Sequence, residues 1–503
     1  MLGELLQNAG LGLATALSWS TLLFCLIGVT LGTLVGVIPG IGALAAISML
    51  FPITFYLDPT AALVMLAGIY YGSAYGGSIA SILLNLPGGP ANAVACLDGY
   101  PMARQGRAGV ALFMTAMASF FGGSLGIILM MAFSPVIVSI ALSFGPSEYF
   151  ALMLMGLVAA SVITSGSAVK GIAMVTLGVL LGVVGTDVYT GNLRFTFGVL
   201  ELMDGISLVA VAMGLFGVSE VIASIRDADA GVATKKVTLR SMVPTRDDVR
   251  RSWWPMARGS GIGALFGALP GTGGTIASFV SYAIEKKVAK DPSRFGKGAI
   301  EGIVSPEAAN NAADQTAFIP TLALGIPGTS AMAILIGVMM IHGVTPGPML
   351  MIDHPDLFWG LVMSFWVGNI LLLILNIPLI GLWVRVLSIP YKVIYPSVLM
   401  FICIGVYSIS YSAFDVYAVL ALGALGYGMR VCGYPAAPLL LGFVLGPMME
   451  EHFRRALLVS RGSFNIFIAT PLSATFMVLA IVLLVWGTWS TIRDARRAAE
   501  RTQ

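Results

Sequence analysis

The 503-residue chain is 57% apolar and only 10% charged, against about a quarter charged in ordinary soluble proteins, which excludes a water-soluble globular enzyme. A mean hydropathy of +0.92 and recurring apolar runs of about 20 residues suit a hydrocarbon core about 30 Å thick, so an all-α polytopic membrane protein is expected. The 27 Lys and Arg nearly balance the 24 Asp and Glu, leaving a net charge of +3 that says little about partners and gives no sign of a nucleic-acid partner.

In chain order, apolar segments predict membrane helices near residues 19–38, 60–75, 108–133, 146–164, 171–184 and 200–225. The amino-terminal stretch has no basic n-region and no small-residue cleavage site, so no cleavable signal peptide is expected. A hydrophilic linker, 226–258, carries Lys235, Lys236, Arg240, Arg246, Arg250 and Arg251, and the positive-inside rule assigns it to the cytoplasm. Further segments follow near 357–384, 395–409, 414–428, 436–449 and 464–489, then a basic tail with Arg493, Arg496, Arg497 and Arg501. The organisation expected is a transmembrane repeat (1–225), the linker (226–258), a second repeat (259–463), an extra helix (464–490) and a cytoplasmic tail (491–503), with about 10 to 12 transmembrane segments in all.

Duplication is the most informative feature. GTLVGVIPGIG (32–42) matches GALFGALPGTG (263–273) at six of eleven positions, and IASILLNLPG (79–88) matches IPTLALGIPG (319–328) at four of ten. Both matches contain a Pro-Gly pair, in the same order, which reads as two copies of one unit. Basic residues alternate between equivalent loops. Lys286, Lys287, Lys290, Arg294 and Lys297 follow the first break of the second half only, Arg104 and Arg107 the second break of the first half only. Arg385 and Lys392 then mark the second half, and Lys170 the first. Such alternation predicts two inverted-topology repeats; Arg454, Arg455 and Arg461 run against it, partly offset by Glu450 and Glu451.

Gly supplies 60 residues and Pro 25, a high content of helix breakers for an apolar chain. In hydrocarbon every backbone N–H and C=O needs a partner, so a Pro-Gly break, as a re-entrant hairpin or within a spanning helix, is tolerated only inside protein or beside a water-filled cavity. Broken helices offer free N–H groups at one end and free C=O groups at the other, a means of binding an anion and a cation together. The candidate substrate residues are therefore Pro39, Gly40 and Gly42; Pro87, Gly88 and Asn92; Pro270, Gly271, Thr272 and Gly273; and Pro327, Gly328, Thr329 and Ser330. The alternative is ordinary interhelical turns and close helix packing through glycines four residues apart. The stretch EAANNAADQT (307–316) leads into the fourth break, and Asn310, Asn311 and Asp314 on it suit a coupling cation, Na⁺ or H⁺; the alternative is a polar helix at the cytoplasmic surface. Asp58, Asp98, Asp187, Asp204 and Asp415 read as interfacial anchors.

Other chemistries lack their residues. Four scattered cysteines show no ligand spacing, so neither a disulfide nor structural zinc is expected. His342, His354 and His452 are isolated, giving no metal site and no catalytic role. No phosphate-binding GxxxxGK[ST] loop exists, and GSGIG (259–263) follows no strand, so neither ATP hydrolysis nor a dinucleotide cofactor is expected. No cofactor is expected, and a cation gradient is the remaining driver.

The blocks GVIPGIG (36–42), YGGSIASILLNLPGGPANAVACLDGYPMARQGRAG (75–109), LFGALPGTGGTIASFVSYAIEKK (265–287) and EAANNAADQTAFIPTLALGIPGTSAMAILIGVMMIHGVTPGP (307–348) closely resemble the large membrane subunit, TctA type, of the bacterial tripartite tricarboxylate transporters, with similarity over nearly the full length. The resemblance implies a secondary importer, not an enzyme, in the bacterial inner membrane. It implies three further participants: a small membrane subunit of about four helices, a periplasmic substrate-binding protein, and an organic anion of the tri- or dicarboxylate class. A stand-alone exporter or channel-like permease is the alternative.

Overall fold

The computed structural model describes residues 2–38, 42–163, 167–187, 189–224, 237–269, 273–387 and 391–502. Helices make up nearly all of it, and the sole strands among these residues are the antiparallel pair Gly185–Thr186 and Leu193–Arg194. The all-α polytopic membrane fold is thus observed. Five helical stretches are long and apolar enough to cross a bilayer: Trp19–Val37, Pro90–Ala141, Pro355–Asn376, Ala413–Val431 and Pro471–Arg493. Shorter apolar helices such as Pro146–Val162 and Ser330–Ile341 lie among them.

Helix packing rests on two glycine stripes. Gly28, Gly32 and Gly36 of the Trp19–Val37 helix lie directly on the carbonyl oxygens of Met65, Ile69 and Ser73 in the Pro59–Leu84 helix. Gly259, Gly263 and Gly267 of the Arg246–Gly267 helix lie in the same way on Ser305, Ala309 and Ala313 of the Glu301–Thr316 helix. A methyl group at any of the six would overlap the facing backbone. Without a side chain between them the helix axes approach closely, which is how apolar helices associate when lipid competes for every apolar surface.

The matched sequence blocks share local geometry. Gly42 and Gly273, with φ of +63° and +61°, each open the helix that follows a first Pro-Gly pair. Asn85 and Gly325, both left-handed, close the helices that precede a second pair. Gly88 rests on Gly77 and Gly328 on Ala317, at equivalent positions of the two copies.

Several expected segments differ in detail. An additional helix, Leu2–Ala16, packs against Pro355–Asn376, with Gly12 seated on the carbonyl of Trp359; Glu4, Gln7 and Asn8 interrupt its apolar run, so hydropathy alone passes over it. The segment expected at 200–225 begins with one short 3-10 turn, Leu200–Leu202, and its α-helix starts only at Leu208, after a turn through Asp204 and Gly205 (φ +85°). Part of the basic linker is helical. Thr245 and Asp248 form a capping box that starts the helix at Arg246 and continues it to Gly267, while 225–236 lie outside the described residues. Arg107 pairs with Asp248 at 2.5 Å, joining the basic loop of the first half to this linker, two segments that the positive-inside rule assigns to one side.

Two of the three arginines that break the charge alternation, Arg454 and Arg455, are neutralised. Arg454 bonds Asp187 (2.9 Å) and Glu450 (2.6 Å), Arg455 bonds Glu451 (2.6 Å), and Arg194 bonds Glu450 (2.8 Å). The Arg454 guanidinium, helped by the backbone N–H groups of Tyr189 and Thr190, holds the Asp187 carboxyl down at about 2. A folded-state pKa below the unfolded value of about 3.9 contributes stability that is complete above that value and is lost as pH falls through about 2. Wild-type protein should therefore show a loss of thermal stability between about pH 4 and 2 that Asp187→Asn lacks, read by melting in detergent across that range; identical pH profiles would disprove the latch.

Candidate functional site

The Glu301–Thr316 helix is the centre of the molecule: every residue from Gly302 to Thr316 is buried. It is therefore no surface helix. Its small residues explain how neighbours surround it. Ala309 and Ala313 receive the second glycine stripe, while Gly122 and Gly126 of the Ala108–Ala141 helix sit on Ala308 and Ala312. Between these alanines the same helix carries Glu307, Asn310, Asn311, Asp314 and Gln315, so close packing encloses a row of polar groups that water would otherwise solvate.

Asp314 accepts a hydrogen bond at 2.7 Å from the Tyr70 hydroxyl, which comes from the Pro59–Leu84 helix of the other half. The Thr329 methyl faces Gly273. Gly274 lies against the Asp314 carboxylate and Asn310; a methyl group there would sit 3.1 Å from Asp314 Oδ1. The candidates Gly273, Thr329, Asn310 and Asp314 thus converge, around a carboxylate that is 7% exposed. No Arg, Lys or His neutralises it among the described residues.

Two turns away, Glu307 is fully enclosed (0% exposed). Its carboxylate accepts from Asn92 Nδ2 (3.4 Å), Ser119 Oγ (3.5 Å) and Asn310 Nδ2 (3.4 Å). Asn92, from the second break of the first half, is fixed in turn by donating to the Ala74 carbonyl at 3.0 Å, with its oxygen against Gly77. Asn311 donates to Asn310 Oδ1 (2.6 Å) and to the Glu307 carbonyl (3.0 Å). Glu307 therefore orients the amide pair beside Asp314 with donors from three separate helical segments. A separate pair of bonds is also buried: Tyr75 donates to Asn369 Oδ1 at 2.8 Å, and Asn369 donates to the Phe120 carbonyl at 3.2 Å. A cavity of about 10 Å³ beside it, lined by Tyr75, Ser78 and Asn376, has room for about one water, and Asn376 Oδ1 has no protein partner.

The helix ends near this row are specifically terminated. Thr329 caps the Ser330–Ile341 helix, accepting from the Met332 N–H at 3.4 Å, and Ser330 begins it. Gly328 N–H donates to Thr321 Oγ1 at 3.2 Å. Pro327 is buried with it, whereas Pro87 is exposed and only Gly88 of that pair is enclosed, between Gly36 and Gly77. Gly42 meets no other segment within 4 Å of where a Cβ would stand. Pro39, Gly40, Pro270, Gly271 and Thr272 lie outside the described residues.

Tyr70, Tyr75, Ser119, Glu307 and Asn369 escape the reading of the sequence. Asn369 carries a usable signal, an amide in the interior of a 22-residue apolar helix; the tyrosines and Ser119 carry none, being unexceptional in apolar runs. Asp98, expected as an interfacial anchor, is instead fully buried and accepts from the backbone N–H groups of Gly298 and Ala299 (both 2.8 Å) and from Tyr282 (3.0 Å). It caps the approach to the central helix from 200 residues away. Asp58 caps the Pro59–Leu84 helix through Thr60 N at 3.0 Å. Among the described residues no group of three His, Cys, Asp or Glu side chains could hold a metal ion.

Comparison with known proteins follows this geometry. The family model described as "Tripartite tricarboxylate transporter TctA family" matches residues 22–441, a span that contains the whole central helix, both glycine stripes and all four Pro-Gly pairs. A relative from Agrobacterium vitis, named "Uncharacterized 52.8 kDa protein in TAR-I ttuC' 3'region", is 48% identical over 494 residues, covering 98% of each chain. Another from the same organism, "Uncharacterized protein in TAR-II ttuC' 3'region", is 50% identical over 234 residues, 46% of this chain and 97% of its own. No solved structure matches.

Proposed function

The chain belongs to the tripartite tricarboxylate transporter TctA family, and from that premise we propose that it imports organic carboxylates across the bacterial inner membrane by cation-coupled symport. It receives them from a periplasmic binding protein and works beside a small membrane subunit. The two halves are inverted repeats, and the substrate site lies between them near the bilayer midplane. The observation that carries this reading is Asp314: a buried carboxylate without a basic partner, bonded to Tyr70 of the other half and flanked by the second-half breaks at Gly273 and Thr329. A lone carboxylate in a membrane interior is costly unless it takes up a cation or a proton. Asp314 is thus the seat of the coupling ion, Na⁺ or H⁺, with Asn310 and Asn311 beside it, while the N–H groups after the Pro-Gly pairs hold the substrate carboxylates.

The proposal is tested at Gly328. A Cβ there would stand 2.9 Å from the Ala317 carbonyl, so Gly328→Val pushes the break and Thr329 away from the site without altering any spanning segment. Uptake into proteoliposomes, with binding protein and substrate supplied outside, should fall at least about tenfold, the effect of roughly 1.4 kcal/mol of lost site energy, with membrane insertion unchanged. Normal uptake by the variant would remove the fourth break from the site. Omitting the binding protein provides the complementary arm: undiminished uptake would favour a stand-alone permease.

A further inference from the structure

A cleft away from Asp314 belongs to neither the ion seat nor the breaks. It has a volume of about 430 Å³, within the range of small-molecule sites. Both halves build it: Gly182 and the segment 204–209 from the first, and Gly337, Met340, Asp415, Phe443 and Met448 among those from the second. Its walls are apolar except for Ser207 and two carboxylates, Asp204 and Asp415, 211 residues apart in sequence. Among the described residues neither carboxylate has an ion pair or a hydrogen bond. Asp415 stands in the first turn of the Ala413–Val431 helix, and Asp204 in the turn before Leu208. Ile341, at the carboxyl end of its helix, is also at this mouth, whereas Phe443 and Val444 lie in the middle of the Ala436–Val459 helix. The carboxylates therefore stand at helix ends, while Phe443 and Val444 of the floor lie within a helix.

We infer that this cleft holds a membrane lipid with a primary-amine headgroup, of the phosphatidylethanolamine type, an acyl chain on the apolar floor and the ammonium at Asp204 and Asp415. The charge selects the occupant. Two unpaired carboxylates repel an organic anion and an anionic lipid headgroup, and attract an ammonium. A primary ammonium supplies three N–H donors for charge-assisted bonds to carboxylate oxygens; a choline headgroup has the charge but no donor. A single acyl chain is narrow enough to enter between the apolar walls. Since the lipid bridges both halves, its binding is a contact between the two units that the transport cycle must keep or break. The inference requires only that the chain resides in a bilayer and does not depend on the ion seat.

The experiment uses the delipidated full-length chain in detergent, with dioleoyl phosphatidylethanolamine, phosphatidylcholine or phosphatidylglycerol added, read by thermal shift and by native mass spectrometry of bound lipid. Phosphatidylethanolamine should raise the melting temperature most and phosphatidylglycerol least. Asp204→Asn with Asp415→Asn should weaken phosphatidylethanolamine binding at least about tenfold, as loss of one charge-assisted bond implies, and abolish the preference among headgroups. Each single variant, milder for folding, should lose part of it. Equal stabilisation by the three lipids would overturn the inference, as would a preference that survives in the double variant. So would crosslinks from both aspartate positions to a protein side chain of a partner subunit. Transport by wild-type protein is unaffected by any of these outcomes, so failure here is separable from failure of the proposed function.

Discussion

Asp314→Asn is expected to abolish cation-driven uptake. The substitution preserves the shape of the side chain and an oxygen for Tyr70, whose hydroxyl now reaches the carboxylate at 2.7 Å, but removes the charge that an entering ion would neutralise. Apparent cation affinity should fall by at least about a hundredfold, the upper end of what losing even a supporting group around a bound ion costs. Substrate exchange in the absence of a gradient tests the same residue differently: should it persist in the variant while gradient-driven accumulation vanishes, Asp314 serves coupling rather than substrate binding. Tyr70→Phe deletes one hydrogen bond and should be milder, shifting the dependence on the ion without eliminating accumulation. The identity of the ion follows from which dependence the asparagine variant loses, that on Na⁺ or that on external pH. Wild-type accumulation by Asp314→Asn under either gradient would rule out this carboxylate as the seat.

The second large effect is structural. Gly263→Ala should destabilise the protein severely, because the added methyl would overlap the backbone carbonyl of Ala309, and backbone cannot rotate aside as a side chain can. Overfilling a close-packed interface costs about 1–3 kcal/mol, and more where both surfaces are backbone. Gly32→Ala, which meets the carbonyl of Ile69 at the equivalent contact of the first half, should behave alike. Gly261 is the internal control. It lies in the same helix with nothing within 4 Å of its Cβ position, so Gly261→Ala should be neutral or stabilise by about 0.5–1 kcal/mol through helix propensity. Melting profiles of the three variants in detergent decide the matter; an intact Gly263→Ala protein would mean that the helix pair is loosely packed. The functional consequence follows from position. Ala309 and Ala313 bear the glycine stripe while Asn310 and Asp314, their immediate neighbours on the same helix, bear the polar row, so any displacement of that interface moves the proposed ion seat.

What the sequence determined by itself was decided by the solvent and by covalent constraints. An apolar excess this large permits only a bilayer-embedded helical fold, and Pro and Gly mark where those helices stop, so the fold class, the four breaks and the polar stretch around Asp314 were legible residue by residue. The four long sequence blocks likewise identified the family. Tertiary structure alone decided which polar groups meet. Tyr70 and Asp314 are 244 residues apart, Asn92 and Glu307 215, and helices that are apolar nearly all round present no periodic face to show which side will turn inward. The same reason hid Asp98 as a cap in trans and Asp204 and Asp415 as two sides of one cleft, although each had stood out as a charge near a segment end. In a bilayer, where lipid matches the apolar side chains, helix partners are selected by close steric fit of small residues; that fit brings particular polar atoms together, and it exists only once the helices are packed.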